Sequence, residues 1–216
     1  MIKYDKRIDA LITESCGEVL ADIGCDHGYV AVGAVLSGKV KRAVAIDISE
    51  KSLEKTRLLS EQTGVADKVR CLCGNGFAPL DEDVDVAVIA GMGGVEIISV
   101  LEAAGDRLPA RLVLCPHQNA YELRRWLNGR FRIVKDRTVA VSGKYYQIIV
   151  LGEGEDFYGE DEFFYGKNLP PDDDYAAMLT NRRRVLEERF LRHSVPDGKL
   201  REEYREVIKQ CSKLKI

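Results

Sequence analysis

The segment ADIGCDHG, residues 21–28, connects the first predicted strand, residues 18–23, to the first predicted crossover helix, residues 29–39. A ligand at the carboxyl ends of parallel strands must approach the backbone of such a connection closely, and a glycine-rich turn permits that approach. Gly24 and Gly28 meet this requirement. The segment therefore predicts a small-ligand site at this turn, although an ordinary tight turn would use the same glycines.

The acidic residues of this segment narrow the ligand class. Its spacing is GxDxG and not the GxGxxG of dinucleotide-binding turns, and the carboxylate of Asp26 would repel a pyrophosphate. S-adenosyl-L-methionine has no phosphate and carries a sulfonium and an ammonium group, so Asp22 and Asp26 suit it. We therefore predict a cationic, adenosine-bearing ligand at this turn.

Outward from this turn, short apolar segments alternate with longer helical segments. The apolar segments are continuous rather than alternating, which is typical of strands buried on both faces. Because helices separate them, they predict a parallel sheet with right-handed crossovers. The five predicted parallel strands are residues 18–23, 42–47, 67–73, 85–90 and 111–115.

The pattern changes after the fifth predicted strand. Residues 132–141 and 145–151 flank a Ser-Gly turn and predict an antiparallel hairpin. Five parallel strands closed by such a hairpin are similar to the Rossmann-like sheet of class I S-adenosylmethionine-dependent methyltransferases. We therefore expect an α/β fold with a mostly parallel sheet of seven strands, which forms a catalytic domain over residues 1–152.

The carboxyl-terminal part of the chain predicts a helical appendage. Residues 153–174 are acidic and aromatic, which indicates a packed connecting segment. Residues 175–216 carry two apolar stripes at helical spacing, separated by the turn sequence VPDG at residues 195–198, and predict a small helical hairpin. This appendage is locally basic, which favours a polyanion partner, although basic runs on helices are also common solvated surface.

Composition bounds the class of protein further. The 216 residues are 45% hydrophobic and 31% charged, as in soluble globular proteins. Six cysteines form no CxxC pair, and three histidines form no HExxH or Cys/His cluster, so we expect reduced thiols and no metal ion. No apolar run is long enough to span a membrane and the amino terminus is charged, so we expect a cytoplasmic protein without a membrane partner. We also expect a monomer or a weak dimer.

Three later strand ends add candidate ligand contacts. Asp47 ends the second predicted strand, where a carboxylate can accept hydrogen bonds from both ribose hydroxyls of an adenosine. Asn75 follows the third strand and is a candidate partner of the adenine amino group. Gly91 and Met92 lie in IAGMGG after the fourth strand, where a methyl acceptor would lie over exposed backbone. Helix capping at Asp47 and simple turns at the other two positions are the alternatives.

The combination of ADIGCDHGYV, AGMGG, LCPHQNAYELRRWL, GKYYQIIV and DEFFYGKNLP resembles the bacterial tRNA (adenine-22 N1)-methyltransferases. The resemblance covers nearly the whole chain. It implies S-adenosyl-L-methionine-dependent methylation of N1 of an adenine in the D arm of tRNA. The cofactor-binding residues that it implies are Asp22, Gly24, Asp26, His27, Gly28, Asp47, Ile48, Gly74, Asn75, Ala90, Gly91 and Met92.

This sequence departs from the family pattern in three places. Asp47-Ile48 stands where Glu-Val is common, Gly74-Asn75-Gly76 where Gly-Asp-Gly is common, and Cys115-Pro116-His117 where Gln-Pro-Asn is common. The first two are polar exchanges within the implied cofactor site. The third lies where the acceptor base is expected.

Adenine N1 has an in-plane lone pair and no proton to lose, so no general base is required and the enzyme mainly aligns the reactants. We expect Asp26 to stabilise the positive charge of the methylated base, and Tyr29 or His117 to orient or stack it. Phe77 and Tyr145 are weaker candidates for stacking, and we expect His27 to play a supporting role.

A tRNA substrate would also need cationic contacts to its phosphates. The candidate RNA-binding residues are Lys3, Lys6, Arg7, Arg124, Arg125, Arg182, Arg183, Arg184, Arg189 and Arg192. Two other functions stay open from the sequence: methylation of another acceptor, and a protein that binds S-adenosyl-L-methionine and RNA without turnover.

Overall fold

The computed structural model describes residues 4–167, 171–192 and 198–216, and the side chain of Arg192 is not among those described. The predicted RNA contacts at Lys3 and Arg192 and most of the predicted turn at residues 195–198 therefore lie outside the described residues. The helices are α1 (Lys6–Glu14), α2 (Tyr29–Leu36), α3 (Glu50–Gln62), α4 (Gly94–Ala104), α5 (Ala120–Leu127), α6 (Asp173–Arg192) and α7 (Gly198–Leu214). The strands are β1 (Val19–Ile23), β2 (Arg42–Asp47), β3 (Val69–Cys73), β4 (Val86–Ala90), β5 (Arg111–Cys115), β6 (Arg132–Val141) and β7 (Lys144–Gly152).

The seven strands form one sheet with the order β3-β2-β1-β4-β5-β7-β6. β1 to β5 are parallel to one another, whereas β7 is antiparallel to both β5 and β6. The predicted α/β fold, a mostly parallel sheet of seven strands with a terminal antiparallel hairpin, is therefore confirmed. The chain enters the sheet at β1 and crosses to opposite sides for β2 and β4, so a crevice opens at the carboxyl ends of β1 and β4.

Both faces of the sheet are covered, which explains the continuous apolar segments of the sequence. All five residues of β1 are buried. Leu20 packs with α1 and α2 residues on one face, and Ala21 and Ile23 pack with α4 and α5 residues on the other. Burial of each large aliphatic side chain contributes roughly 1.5–3 kcal/mol, so the core fixes the strand ends that carry the polar residues.

The predicted strand boundaries differ slightly from the observed ones. The strand predicted at residues 67–73 begins at Val69, because Ala66–Lys68 forms a 3-10 turn. The helix predicted at residues 29–39 ends at Leu36, and Gly38 then adopts a positive φ of 68°.

The carboxyl-terminal helices form a hairpin, as the two apolar stripes predict. Leu179, Leu186 and Val207 are fully buried between α6 and α7. The same cluster includes Phe164 and Tyr165 of the connecting segment, which is therefore packed as expected. Helix α6 begins at Asp173 and so includes the last two residues of the segment predicted at 153–174. The division into residues 1–152, 153–174 and 175–216 stays a prediction.

The prediction that Arg124 contacts RNA phosphate is wrong, because its side chain is fully buried. Its guanidinium donates from Nε and Nη2 to the two carboxylate oxygens of Asp136, at 2.8 and 2.9 Å. Nη1 donates to the carbonyl oxygens of Phe163 and Phe164, and the hydroxyl of Tyr158 donates to Asp136. This buried ion pair ties the connecting segment to α5 and β6.

Candidate functional site

A cavity of about 1000 Å³ opens at the carboxyl ends of β1 to β4. Its walls include each predicted catalytic residue, Asp26, Tyr29 and His117. The predicted cofactor-binding residues that line it are Asp22, Gly24, Asp26, His27, Asp47, Ile48, Gly74, Asn75, Ala90, Gly91 and Met92. The parallel register of the strands thus gathers side chains that are far apart in the sequence.

Gly28 is the one predicted cofactor residue absent from the cavity wall described here. It is buried and precedes α2 with a positive φ of 69°, and a Cβ at this position would lie 2.3 Å from Cγ2 of Thr56. Gly28 is therefore required for packing, because a side chain here would prevent the β1–α2 turn from contacting α3.

At the floor of the cavity the backbone of the turn after β1 lies directly against the side chain of Met92. A Cβ on Gly24 would lie 2.4 Å from Cε of Met92, and Gly24 has a positive φ of 72°. The turns after β1 and β4 therefore meet at this glycine. A larger residue here would push Met92 into the space that a ligand needs.

Asp22 is a carboxylate at the buried end of the cavity, with 3% of its surface exposed. Burial raises the pKa of the Asp22 carboxyl to about 7; the N–H of Ala31, which donates at 3.0 Å, opposes this shift, and the charge of Asp47 adds to it. The group is thus poised near neutrality, and a cationic ligand would favour its ionised form.

Asp47 is held in place by two backbone donors. The N–H of Ser49 donates to Oδ1 at 2.8 Å, and the N–H of Asp26 donates to Oδ2 at 3.1 Å. Ser49 is the N-cap residue of α3, and its side chain makes no capping hydrogen bond. Each Asp47 oxygen keeps a second lone pair, so the carboxylate can still accept from two ribose hydroxyls.

Asp26 lies at the cavity mouth and has an unusual backbone conformation, with φ at 47°. Its side chain is 66% exposed, and its carboxylate lies 3.5 Å from both Nζ of Lys55 and Nε2 of His27. Because Lys55 also contacts His27 at 3.4 Å, the three side chains form a polar rim. A positive charge on a bound base would compete with Lys55 for Asp26.

An aromatic group borders this rim. The rings of His27 and Tyr29 are stacked, with centroids 5.4 Å apart and planes 10° apart. Tyr4 meets Tyr29 edge-on at 6.1 Å. Tyr29 is 40% exposed, so its ring offers a surface on which a planar base can stack. The supporting role expected of His27 agrees with this contact.

The loops after β4 and β5 are hydrogen bonded to each other. The N–H of His117 donates to the carbonyl of Met92 at 2.9 Å, and the N–H of Gly94 donates to the carbonyl of Gln118 at 2.8 Å. A Cβ on Gly91 would lie 3.7 Å from Nε2 of His117, so the imidazole covers the glycine-rich turn. In the segment 115–117, which differs from the family pattern, Cys115 is buried and His117 lines the cavity.

Arg7 belongs to the cavity wall, although the sequence predicts it as an RNA contact. Helix α1 packs on α2, β6 and β7, which brings its guanidinium 5.0 Å from the ring of Tyr146. Other lining residues that sequence reasoning missed include Glu96, Val100 and Arg107. Glu96 and Val100 lie on α4 and Arg107 lies in the 3-10 turn that follows it, and nothing local in the sequence shows that these residues border a cavity.

The remaining predicted RNA contacts differ in their electrostatic surroundings. Arg182 donates to both carboxylate oxygens of Glu203 at 2.6 and 2.8 Å. Arg183 and Arg184 pair with carboxylates one turn along α6. Among the predicted RNA contacts whose side chains the structure describes, the exposed ones without a carboxylate partner are Lys6, Arg125 and Arg189. Arg125 lies over the ring of Phe163.

Within residues 4–167, 171–192 and 198–216, no group of histidine, cysteine, aspartate and glutamate side chains has the arrangement of a metal site. No helix in those ranges combines the length and apolar character that crossing a bilayer requires.

Comparison with known sequences adds independent observations. A model of the tRNA (adenine(22)-N(1))-methyltransferase family matches residues 20–215. A tRNA (adenine(22)-N(1))-methyltransferase of Bacillus subtilis is 33% identical over 143 residues, which cover 64% of this chain and 60% of that protein. The aligned region is therefore less than two thirds of that relative's length.

Comparison with solved structures agrees over a longer stretch. A Streptococcus pneumoniae protein solved in complex with S-adenosyl-L-methionine is 26% identical, with a TM-score of 0.84 over 97% of this chain and 99% of that one. The Bacillus subtilis m1A22 tRNA methyltransferase structure is 24% identical, with a TM-score of 0.79 over 100% and 98% of the two chains. At that identity the second structure supports the fold alone.

Proposed function

Because the chain belongs to the tRNA (adenine(22)-N(1))-methyltransferase family, we propose that it transfers a methyl group from S-adenosyl-L-methionine to N1 of adenine 22 in tRNA. The observation that carries this proposal is the cavity itself. One wall holds the carboxylates and open backbone suited to the methyl donor, and its mouth holds His117 and the Tyr29 ring suited to a base. Donor and acceptor would therefore meet at the glycine-rich turn after β4.

The residues of the cavity fit S-adenosyl-L-methionine. Gly24 lets the backbone itself line the cavity beside Met92, and Asp22 and Asp47 provide carboxylates for cationic and hydroxyl groups. We assign Asp47 to the ribose hydroxyls and Asn75 to the adenine edge, with Ile48 beside the adenine ring. We assign the Asp22 carboxylate to the positively charged end of the ligand, which it attracts. When bound, the cofactor supplies an electrophilic methyl group on a positively charged sulfur.

The chain's own residues align the base and hold its new charge. Tyr29 stacks against the adenine, and His117, fixed by its backbone bond to Met92, closes the opposite side. The N1 lone pair forms the new bond to carbon as the carbon–sulfur bond breaks and its electron pair stays on sulfur. The adenine gains a positive charge, which Asp26 stabilises once the base displaces its weak contact with Lys55.

The state of Asp22 predicts a pH dependence of cofactor affinity. Because a cationic ligand favours the carboxylate over the neutral acid, we expect affinity for S-adenosyl-L-methionine to rise with pH up to about 7 and then level off. The variant Asp22→Asn cannot ionise, so its profile should be flat in this range. Titration calorimetry below and above neutrality measures both profiles, and a flat wild-type profile would contradict this role.

The same pKa shift predicts a stability change in the ligand-free protein. The native pKa of Asp22 lies above its ordinary value of 3.8, so the native state holds a proton that the unfolded state has released. The free energy of unfolding should therefore fall as pH rises from about 4 to about 7. Denaturation in Asp22→Asn should lack this component, and an identical dependence in both proteins would contradict the shift.

The tRNA partner predicts a salt-dependent interaction through exposed cations. We expect the double variant Lys6→Gln/Arg189→Gln to bind tRNA more weakly and to lower the slope of log affinity against log salt by about 2, since each phosphate contact contributes about 1. Affinity for S-adenosyl-L-methionine should not change. Arg70→Gln on the edge strand β3, whose arginine is paired with Asp81, is the matched control. An unchanged slope in the double variant would remove these residues from the RNA surface.

Methylation of two tRNA transcripts tests the proposed function. One carries adenine at position 22 and the other guanine at the same position, and both receive labelled S-adenosyl-L-methionine. The proposal expects label in the first transcript alone. Equal label in both would indicate another target nucleotide, and cofactor binding without label in either would favour another acceptor or a binding protein without turnover.

We place this activity in the cytoplasm; the oligomeric state, monomer or weak dimer, stays a prediction.

A further inference from the structure

Arg7 is a cation in the wall of the large cavity without a counterion among the residues that the structure describes. It lies on α1 and is half-buried. Its guanidinium lies 5.0 Å from the ring of Tyr146, and its Nε is buried with no hydrogen-bond partner within the described ranges. Because a partly buried charge costs free energy unless it is paired, this position favours a ligand group of negative charge.

Arg107, the second arginine found in this wall, is placed differently. Its Nη1 donates to the carbonyl of Phe77 at 3.1 Å, and the residue is exposed. Phe77 lies two residues after Asn75, which we assign to the adenine edge. Arg107 therefore lies toward the adenine end of the cavity, whereas Arg7 lies on the side of β7.

The first turn of α2 adds positive charge beside α1. The two helices pack on each other, and Tyr29 and Val30 line the cavity. The N–H of Ala31 donates to Asp22, but those of Tyr29 and Val30 have no acceptor among the described residues. Unpaired N–H groups at the start of a helix carry partial positive charge and bind anions. We call Arg7 and these two N–H groups the anion subsite.

The position of Asp22 indicates which anion this subsite takes. Its carboxylate is anchored to Ala31, in the same helical turn that provides the two unpaired N–H groups. In S-adenosyl-L-methionine the ammonium and the carboxylate are attached to one carbon atom, so the groups that bind them must adjoin. A phosphate of RNA brings no positive charge for Asp22, and the two negative charges would repel each other.

We propose that the anion subsite binds the α-carboxylate of S-adenosyl-L-methionine, beside the ammonium group at Asp22. Arg7 is then a cofactor-binding residue and not the RNA contact that the sequence predicts. The subsite also makes the protein selective for the complete amino-acid end of the cofactor, because a ligand without the carboxylate leaves the guanidinium unpaired. This inference rests on the proposed function for the identity of the cofactor.

Titration calorimetry of Arg7→Met tests the assignment. Methionine removes the charge and keeps an unbranched side chain that can pack on Tyr146. We expect affinity for S-adenosyl-L-methionine to fall about ten-fold, since a charge-assisted hydrogen bond is lost. Arg7→Lys keeps the charge and should bind the cofactor more tightly than Arg7→Met. Arg201→Met, which changes an exposed arginine of α7, is the matched control and should bind as the wild-type protein does. Unchanged affinity in Arg7→Met would overturn the proposal.

Decarboxylated S-adenosylmethionine separates a direct contact from a structural role of Arg7. This ligand keeps the sulfonium and the ammonium groups and lacks the carboxylate. The wild-type protein should bind it about ten-fold more weakly than the complete cofactor, and Arg7→Met should cause no further loss with it. An equal loss with both ligands would show that Arg7 acts only on the shape of the cavity, and the proposal would fail.

Binding of tRNA at fixed salt distinguishes the cofactor carboxylate from an RNA phosphate. Without cofactor, Arg7→Met should bind tRNA as tightly as the wild-type protein does. Weaker tRNA binding together with unchanged cofactor affinity would assign Arg7 to a phosphate and overturn the proposal. Methylation is a separate readout, so a wild-type protein that binds the cofactor and methylates no tRNA would contradict the proposed function alone.

Discussion

Replacing Asp136 with alanine is expected to lower the free energy of unfolding by about 3–5 kcal/mol, because it leaves the guanidinium of Arg124 buried without its carboxylate. Both side chains are fully buried, and Tyr158 loses its acceptor at the same time. For a chain of this length the melting temperature should fall by roughly 10 °C. Thermal and chemical denaturation measure the change.

The matched control is Asp81→Ala. Asp81 makes the same two-pronged contact with Arg70, at 2.7 and 2.8 Å, but on an exposed surface. Solvent screens that pair, so its loss should leave the stability nearly unchanged. The double variant Arg124→Met/Asp136→Leu removes both buried charges and should recover part of the loss. If the two single aspartate variants were equally stable, the importance of burial would be disproved.

Replacing Asp47 with alanine is expected to weaken S-adenosyl-L-methionine binding by about 100-fold, because hydrogen bonds from the two ribose hydroxyls to a carboxylate are lost. The substitution also removes the acceptor that holds the backbone of Asp26 and Ser49. Turnover at saturating cofactor should fall less than cofactor affinity does. Titration calorimetry and methylation kinetics separate the two effects.

Two further variants locate the cause. Asp47→Asn keeps one acceptor oxygen and should lose about ten-fold in affinity. Asp67→Ala changes an exposed aspartate next to β3 and should bind the cofactor as the wild-type protein does. Wild-type affinity in Asp47→Ala would place the ribose elsewhere in the cavity.

The sheet and most of the residues that line the large cavity could be predicted because they depend on local patterns. A strand covered on both faces needs continuous apolar residues, and the carboxyl ends of parallel strands must meet at one edge. Asp22, Asp47 and Asn75 therefore converge as expected, since each lies at or within two residues of the carboxyl end of a strand. β7 lies between β5 and β6. This strand order agrees with the class I methyltransferase sheet that the predicted hairpin suggests.

Contacts between distant elements were beyond the reach of the sequence. Arg124 lies in an Arg-Arg pair that is typical of a solvated helix face, and nothing local indicates that Asp136 and the connecting segment enclose it. Arg7 lines the cavity only because α1 packs across the sheet beside Tyr146. The cavity of about 410 Å³ between β7, the loop after β5 and the two carboxyl-terminal helices likewise depends on how these distant elements meet.

The most direct test of the central claim is the chemical identity of the methylated nucleoside. Purified protein, unmodified bacterial tRNA and methyl-labelled S-adenosyl-L-methionine are incubated together, and the tRNA is digested to nucleosides, with Asp26→Ala as a parallel sample. The account predicts label in N1-methyladenosine, strongly reduced in the Asp26→Ala sample. Label in another nucleoside, or none despite measurable cofactor binding, would contradict it.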